Sequence, residues 1–293
     1  MGSTYLLQQL LTGISLGGAY ALIAVGYSMV YGILMLINFA HADIFMMAGY
    51  FMIFSFAAMP WPVAIVVVIL GTILLGVTIE KVAYKPLRSA PRMSIMISAI
   101  GMSYLLQNLA TYLFSALPQA YPAIPGLKKL IKLGDLNSSM VTFVTPIITI
   151  ILVVLLMMLL KRTKIGMAMR AVSKDYDTAK LMGIKINQII SLTFVIGSAL
   201  AAIGSILYFT DRMSVTPFSG TLLGLKCFVA AVLGGIGSVP GAVIGGFIIG
   251  ITETTLIAMG YSTFSSAFTF LILIIILMVR PTGLLGETLT EKV

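Results

Sequence analysis

The chain has 293 residues, 59% of them hydrophobic and only 9% charged, with a mean hydropathy of +1.10. A soluble domain carries about 25% charged residues, so this composition excludes one and points to an all-α, polytopic transmembrane bundle. Apolar runs of about 20 residues, in place of alternating ten-residue segments, exclude a membrane β-barrel. The net charge of +9 sits between those runs, as the positive-inside rule expects, so no nucleic-acid partner is expected. Cys227 is the sole cysteine, which rules out an intrachain disulfide or a cysteine metal cluster. The N-terminus, MGSTYLLQQ, lacks a basic n-region and a small-residue cleavage site, so the first run reads as a retained span.

In chain order, runs one and two cover about Tyr5 to Tyr31 and Ile33 to Met59, parted by little more than Gly32. The turn Pro60-Trp61-Pro62 follows, and Trp61 suits a membrane interface. Run three, Val63 to Ile79, ends in Lys81, Lys85, Arg88 and Arg92, which marks that loop as cytoplasmic. Run four, about Ser94 to Leu117, leads outward to a polar loop, residues 118–140. Lys128, Lys129 and Lys132 in that loop go against the charge rule, and an amphipathic surface helix from Gly126 to Ile131 would account for them. Run five is Val141 to Leu160, and run six, about Ile189 to Phe209, exits at Asp211-Arg212. The segment Gly220 to Met259 is broken by GGIGSVPG at 234–241 and is either two spans or a pair of half-helices. Run seven, Phe264 to Val279, ends at Arg280-Pro281 and a polar tail, read as cytoplasmic from its charge. The expected total is eight or nine spans in one transmembrane domain, residues 1–293.

One stretch does not belong in a bilayer. Lys161 to Lys185 holds seven Lys or Arg and two Asp in 25 residues. Val172, Tyr176, Ala179 and Met182 fall at i, i+4, i+7 and i+10, one face of a helix. Asp175 or Asp177 can cap its start, Asp177 can pair with Lys180, and Gly183 suits its C-terminal end. A solvated loop needs no apolar stripe. The pattern predicts a helix that docks on something outside the bilayer.

Ionisable groups inside apolar runs are costly and usually face a cavity or a partner. Here they are His41 and Asp43, beside Asn38, then Lys226 and Glu253. On a regular helix His41 and Asp43 face apart; a break over Asn38 to Asp43 would change that. Such an element either lines a pathway or forms a polar turn at the cytoplasmic interface. Lys226 is close enough to the start of its run to snorkel, and Glu253 could sit at the outer interface. The segments Ile37 to Ile53 and Gly235 to Gly250 both place small or polar residues ahead of a glycine-aromatic helix start, Gly49-Tyr50 and Gly246-Phe247. Paired interruptions of this kind point to an internal repeat around a central pathway. Asn38, His41, Asp43, Gly49, Gly235 and Gly246 are therefore the candidate pathway residues.

Enzyme signatures fail. Gly13 to Gly17 fits G-x-S-x-G literally but lacks the strand-to-helix context, and its glycines read better as G-x-x-x-G helix packing. One His and one Cys cannot build a zinc site, and no phosphate-binding loop is present. No cofactor is expected. ATP, if it drives transport, must be hydrolysed by another chain.

The stretches GISLGGAYALIAVGYSMVYGILMLINFAHADIFMMAGY (13–50), VAYKPLRSAPRMSIMISAIGMSYLLQN (82–108) and GMAMRAVSKDYDTAKLMGI (166–184) resemble the LivH-type permeases of branched-chain amino acid ABC importers. AAVLGGIGSVPGAVIGGFIIGITE (230–253) and RPTGLLG (280–286) do too, in the family's order over nearly the whole chain. The resemblance implies a permease of the bacterial inner membrane that pairs with a second, related permease, two cytoplasmic ATPases and a periplasmic or lipid-anchored binding protein. It implies that a short helix within Ala171 to Gly183, with Val172, Asp175, Tyr176, Ala179 and Met182, inserts into an ATPase groove. The implied substrates are branched-chain amino acids, although such permeases also serve urea, amides and other amino acids. A stand-alone secondary transporter or channel is the competing reading. It would have to run on Asn38, His41, Asp43, Lys226 and Glu253 alone.

Overall fold

The computed structural model describes residues 3–88, 90–133 and 136–286. Beyond residue 286, the polar tail lies outside them. Among the described residues, eight helices are long and apolar enough to span a bilayer, and a ninth, shorter one accompanies them.

The bundle is organised around α1 (Ser3–Leu34). From Ser15 to Val30 this helix is buried on every side, and a helix apolar all round belongs in a core. Small residues make that burial possible. Gly13 and Gly17 meet Gly250 and Phe247 of α10 (Val239–Ala258), and Ala21 meets Gly246. Lower on α1, Gly32 faces Gly237 in the turn before α10. The rising numbers on one helix against falling numbers on the other make the pair antiparallel, in close backbone contact at the G-x-x-x-G glycines.

Two helices begin inside the bundle rather than at its ends. After α1 the chain unwinds over 35–40, starting with Met35 at a left-handed φ of 51°, and α2 (His41–Ala58) starts beside Gly26 of α1 and Gly197 of α8 (Ile186–Arg212). Similarly, α8 ends at Met213, also left-handed, and α9 (Ser219–Gly234) starts with Gly220 against the carbonyl of Ala42. α1 and α8 are antiparallel, since Gly26 faces Gly197 while Leu22 faces Gly204. α2 then runs toward Phe209 and Val215, whereas α9 runs the opposite way toward Gly286. The two helix–break–helix units thus have opposite directions, with their second helices starting at one point.

This corrects the expected repeat. Gly49 and Gly246 lie in the middle of α2 and α10 and start neither helix. The partner of the break at 35–40 is the one at 213–218, not the turn at 235–238. The sequence misled because Gly-aromatic pairs also mark tight helix packing.

α3 (Trp61–Ile79) passes into a π-helical turn, Glu80–Tyr84, and then a short 3-10 turn carrying Pro86. α4 (Arg92–Phe114) and α5 (Met140–Arg162) flank the polar loop. In that loop β2 (Leu130–Leu133) and β3 (Leu136–Ser139) pair as an antiparallel hairpin, in place of the expected surface helix. Gly126, at φ 92°, turns the chain before a helix can start. A second pairing, β1 (Gln119–Ala120) with β4 (Ser214–Val215), ties this loop to the α8–α9 connection. α11 (Ser265–Val279) closes the chain against α9 and α10.

Candidate functional site

The shared starting point of α2 and α9 is the candidate site. Asn38 is buried in the break, and its side-chain oxygen accepts from the Tyr84 hydroxyl at 2.7 Å. Its amide nitrogen has no partner among the described residues. His41 and Asp43 lie on the regular first turn of α2 and face apart, as their spacing dictates. His41 turns inward: a Cβ on Gly26 would fall 2.1 Å from its Nε2, and its ring meets Tyr27 edge-on at 5.0 Å. Asp43 turns to α4. The Ser103 hydroxyl donates to its Oδ2, and the Gln107 side-chain amide donates to Oδ1 at 3.1 Å.

Beside Asp43 opens a cavity of about 150 Å³, walled by the 35–40 break, the starts of α2 and α9, and α4. Its walls are mostly apolar, with Ile37, Phe39 and Phe228 among them, while Asp43, Ser103 and Gln107 supply polarity on one side. Of the six expected pathway residues, Asp43 alone lines this cavity. Ser103 and Gln107 were missed as site residues, although polar residues at i and i+4 on an apolar span were a readable signal.

At the end marked by Lys81, Lys85 and Arg88, the segment after α5 folds as two helices, not one. α6 (Lys164–Lys174) stops at Asp175, whose extended backbone (φ −158°) separates it from α7 (Tyr176–Leu181). The Asp175 carboxylate caps α7, accepting from the backbone N–H of Asp177 and Thr178 at 3.0 Å each. Gly183, at φ 81°, ends it, and Ile184 N–H donates back to the Ala179 carbonyl at 3.1 Å. Both expected ends are in place, but the break at Asp175 resets the helical phase. Val172 and Ala179 are buried against the bundle, and Ala171 is half-buried; Tyr176 and Met182 are exposed together with Leu181. The four-residue stripe is therefore two surfaces, one seating the segment and one facing out. Tyr176 is 39% exposed, so only part of its ring leaves water; that partial burial raises its phenol above the ordinary pKa, and the nearby Arg88 guanidinium partly offsets the rise. Arg88 itself bonds Glu80 and Asn187, and Ser191 donates to Glu80 at 2.9 Å. The α7 segment so lies beside a polar link between the π-helical turn and α8.

The sequence matches the model of a family described as branched-chain amino acid transport system, permease component, over residues 9–277. The chain belongs to this permease family. It is 39% identical to the high-affinity branched-chain amino acid transport system permease protein LivH of Escherichia coli, over 99% of this chain and 98% of that one. Its identity to the corresponding protein BraD of Pseudomonas aeruginosa is 38%, over 98% of both. In fold it is similar to a solved inward-facing structure of a putative metal-chelate type ABC transporter, at a TM-score of 0.50 and 16% identity, covering 94% and 87% of the two chains.

The remaining expected site residues hold the permease together. Gly49 packs on Phe209 and Val215, Gly246 on the Ala21 backbone, and Gly235, at φ 105°, on Gly286. None of them lines the cavity, because each spends its missing side chain on a close approach. Lys226 does not snorkel and Glu253 is not interfacial. The Lys226 ammonium donates to Glu253 Oε1 at 2.7 Å, the Tyr20 hydroxyl donates to Oε2 at 2.8 Å, and all three are buried.

Proposed function

We infer that this chain is the membrane-spanning subunit of a binding-protein-dependent ABC importer for branched-chain or related amino acids. It has no ATPase motif of its own, so the work comes from two ATPase subunits on the cytoplasmic face of a bacterial inner membrane. The basic end, with residues 81–92 and 161–185, is the cytoplasmic one under the positive-inside rule. A second permease completes the pathway, and a binding protein delivers substrate from the other side. All 293 residues serve as one transmembrane permease domain.

The observation that carries this reading is α7. A six-residue helix, capped at both ends, stands at the basic end and exposes Leu181 at 87% and Met182 at 78%. Large apolar side chains outside a bilayer are held out in this way to meet a protein. Tyr176, Leu181 and Met182 form the docking surface in an ATPase groove. Ala171, Val172 and Ala179 seat it, and Asp175 and Gly183 frame it. Closure of the ATPases around ATP then moves α7, and Arg88 passes the movement to the π-helical turn and α8 as rigid-body alternating access.

Co-expression with the ATPases of the same genome tests this reading. Met182→Asp and Leu181→Asp together should leave the permease folded in the membrane and abolish co-purification of the ATPases. Retention of the ATPases by this double variant would move the docking surface elsewhere. A charge at Ala179 would not serve as a test, because a buried glutamate would unseat α7 whether or not it docks.

A further inference from the structure

We propose that the cavity beside Asp43 is a transit site that holds the ammonium group and the apolar side chain of the passing amino acid. The proposal rests on the import reading above.

It begins with an imbalance of charge. Among the described residues, Glu80 pairs with Arg88 and Glu253 with Lys226, but Asp43 has no cation within ion-pair distance. Its residue exposure is 1%, and its hydrogen-bond donors, Ser103 and Gln107, are neutral. Asp43 also sits in the first turn of α2, with the first turn of α9 alongside, where a Cβ on Gly220 would lie 3.0 Å from its Oδ1. Both helix N-termini favour a carboxylate at this point. Two neutral donors and two helix ends replace only part of the hydration a buried carboxylate gives up, and a cation is the partner such a group otherwise gains. A carboxylate has about four acceptor positions, and the side-chain donors occupy two of them. The site is short of one cation, and it keeps acceptor capacity for an ammonium.

The space next to it has a matching size and chemistry. A cavity of about 150 Å³ with apolar walls admits a group the size of benzene, which is close to an isobutyl side chain. Phe39, Ile37 and Phe228 supply apolar wall to the same cavity that Asp43 lines. At the mouth stand Ile100 and Tyr104 of α4, both exposed, so a solute can enter from the α4 surface. An acyl chain from the bilayer would fill the same volume but would have no use for Asp43. A compact amphiphilic cation uses both walls.

The test uses the complete complex of both permeases and both ATPases. In detergent, without the binding protein, the branched amine 3-methylbutylamine should raise its melting temperature, while the branched acid 4-methylpentanoate should not. The response should vanish in Asp43→Asn and persist in Asp43→Glu. In proteoliposomes supplied with ATP and binding protein, Asp43→Asn should lower leucine uptake at least tenfold while the complex still co-purifies, and Asp43→Glu should recover a part. An equal response to amine and acid, or uptake by Asp43→Asn at the wild-type rate, would overturn the proposal. So would stabilisation by added phospholipid with no response to the amine, which would assign the cavity to an acyl chain. Absence of uptake by the wild-type complex would count against the import reading, and the amine measurement would then decide this site by itself.

Discussion

Lys226, Glu253 and Tyr20 show how little a single residue's sequence context reveals inside a membrane. Lys226 lies near the start of its apolar run, a position from which lysines commonly reach the interface. Here its ammonium turns inward to Glu253, 27 positions away, and Glu253 is also bonded by Tyr20, 233 positions away. No local pattern announces a contact of that span. Breaking a buried pair by removing one partner strands the other charge, at a cost of about 3–5 kcal/mol. Glu253→Leu should therefore lower the melting temperature of the solubilised permease sharply, and Lys226→Met should do so as well. The double variant should melt above either single one, since a buried pair is often replaceable by apolar residues at little cost. Thermal melts of the three variants check this, and additive losses in the double variant would show that each residue stabilises the fold separately. Asp43 offers the opposite lesson. That Asp43 interrupts an apolar run was readable from the sequence; whether it would be buried or interfacial, and which α4 side chains hold it, were not, because nothing local fixes which helix packs beside α2.

At the scale of elements, the bilayer made most of the fold legible. A span needs about 20 apolar residues, so six of the seven runs could be read to within a few residues of their ends; run two, expected from Ile33, becomes helical only at His41, after the break. Run six, expected at about Ile189 to Phe209, is α8 from Ile186 to Arg212, and run five, Val141 to Leu160, is α5 from Met140 to Arg162. What failed were the places where helical phase is interrupted. The stripe from Val172 to Met182 assumed one helix, and Asp175 divides it in two. The glycines of run one were read as packing positions, and at α1 against α10 they are. That seam predicts a change of sign between two identical substitutions. A Cβ on Gly250 would lie 2.3 Å from the Gly17 backbone nitrogen and 2.4 Å from its Cα, where nothing flexible can yield. Gly250→Ala should cost about 1–3 kcal/mol or more, as overpacked sites do. On Gly101 of α4 a Cβ would meet nothing within 4 Å, so Gly101→Ala should be neutral or gain about 0.5–1 kcal/mol from helix propensity. Melting temperatures that moved alike in both variants would place the tight contact elsewhere than in this seam.

For the whole molecule, the exposed surface tells where lipid ends. α3, α5 and α11 are lightly buried and strongly apolar, as lipid-facing spans must be: α5 presents Ile147, Ile151 and Val154, and α11 presents Phe268, Leu271 and Ile275. α4 is as lightly buried as α3, yet far less apolar. Gly101, Tyr104, Asn108 and Tyr112 are all exposed on it, and they fall at i, i+3, i+7 and i+11, on one face. Hydrocarbon does not reward an exposed asparagine at a span's surface. That face belongs against water or another protein, and the cavity beside Asp43 opens onto it through Tyr104. In the assembled importer it should line the passage between the two permeases. Cys227 is buried, so the chain offers a quiet background for introduced cysteines. In the intact complex, cysteine at Asn108 or Gly101 should react with a membrane-impermeant thiol reagent, and prior loading with substrate should slow the reaction. Cysteine at Ile151 or Ile275, which are about half exposed in the isolated chain, should stay unmodified in lipid. Reactivity at all four positions would mean a loosened bundle. If Asn108 and Gly101 proved as inert as the isoleucine positions, α4 would be a lipid-facing span and the passage would have to lie on another face.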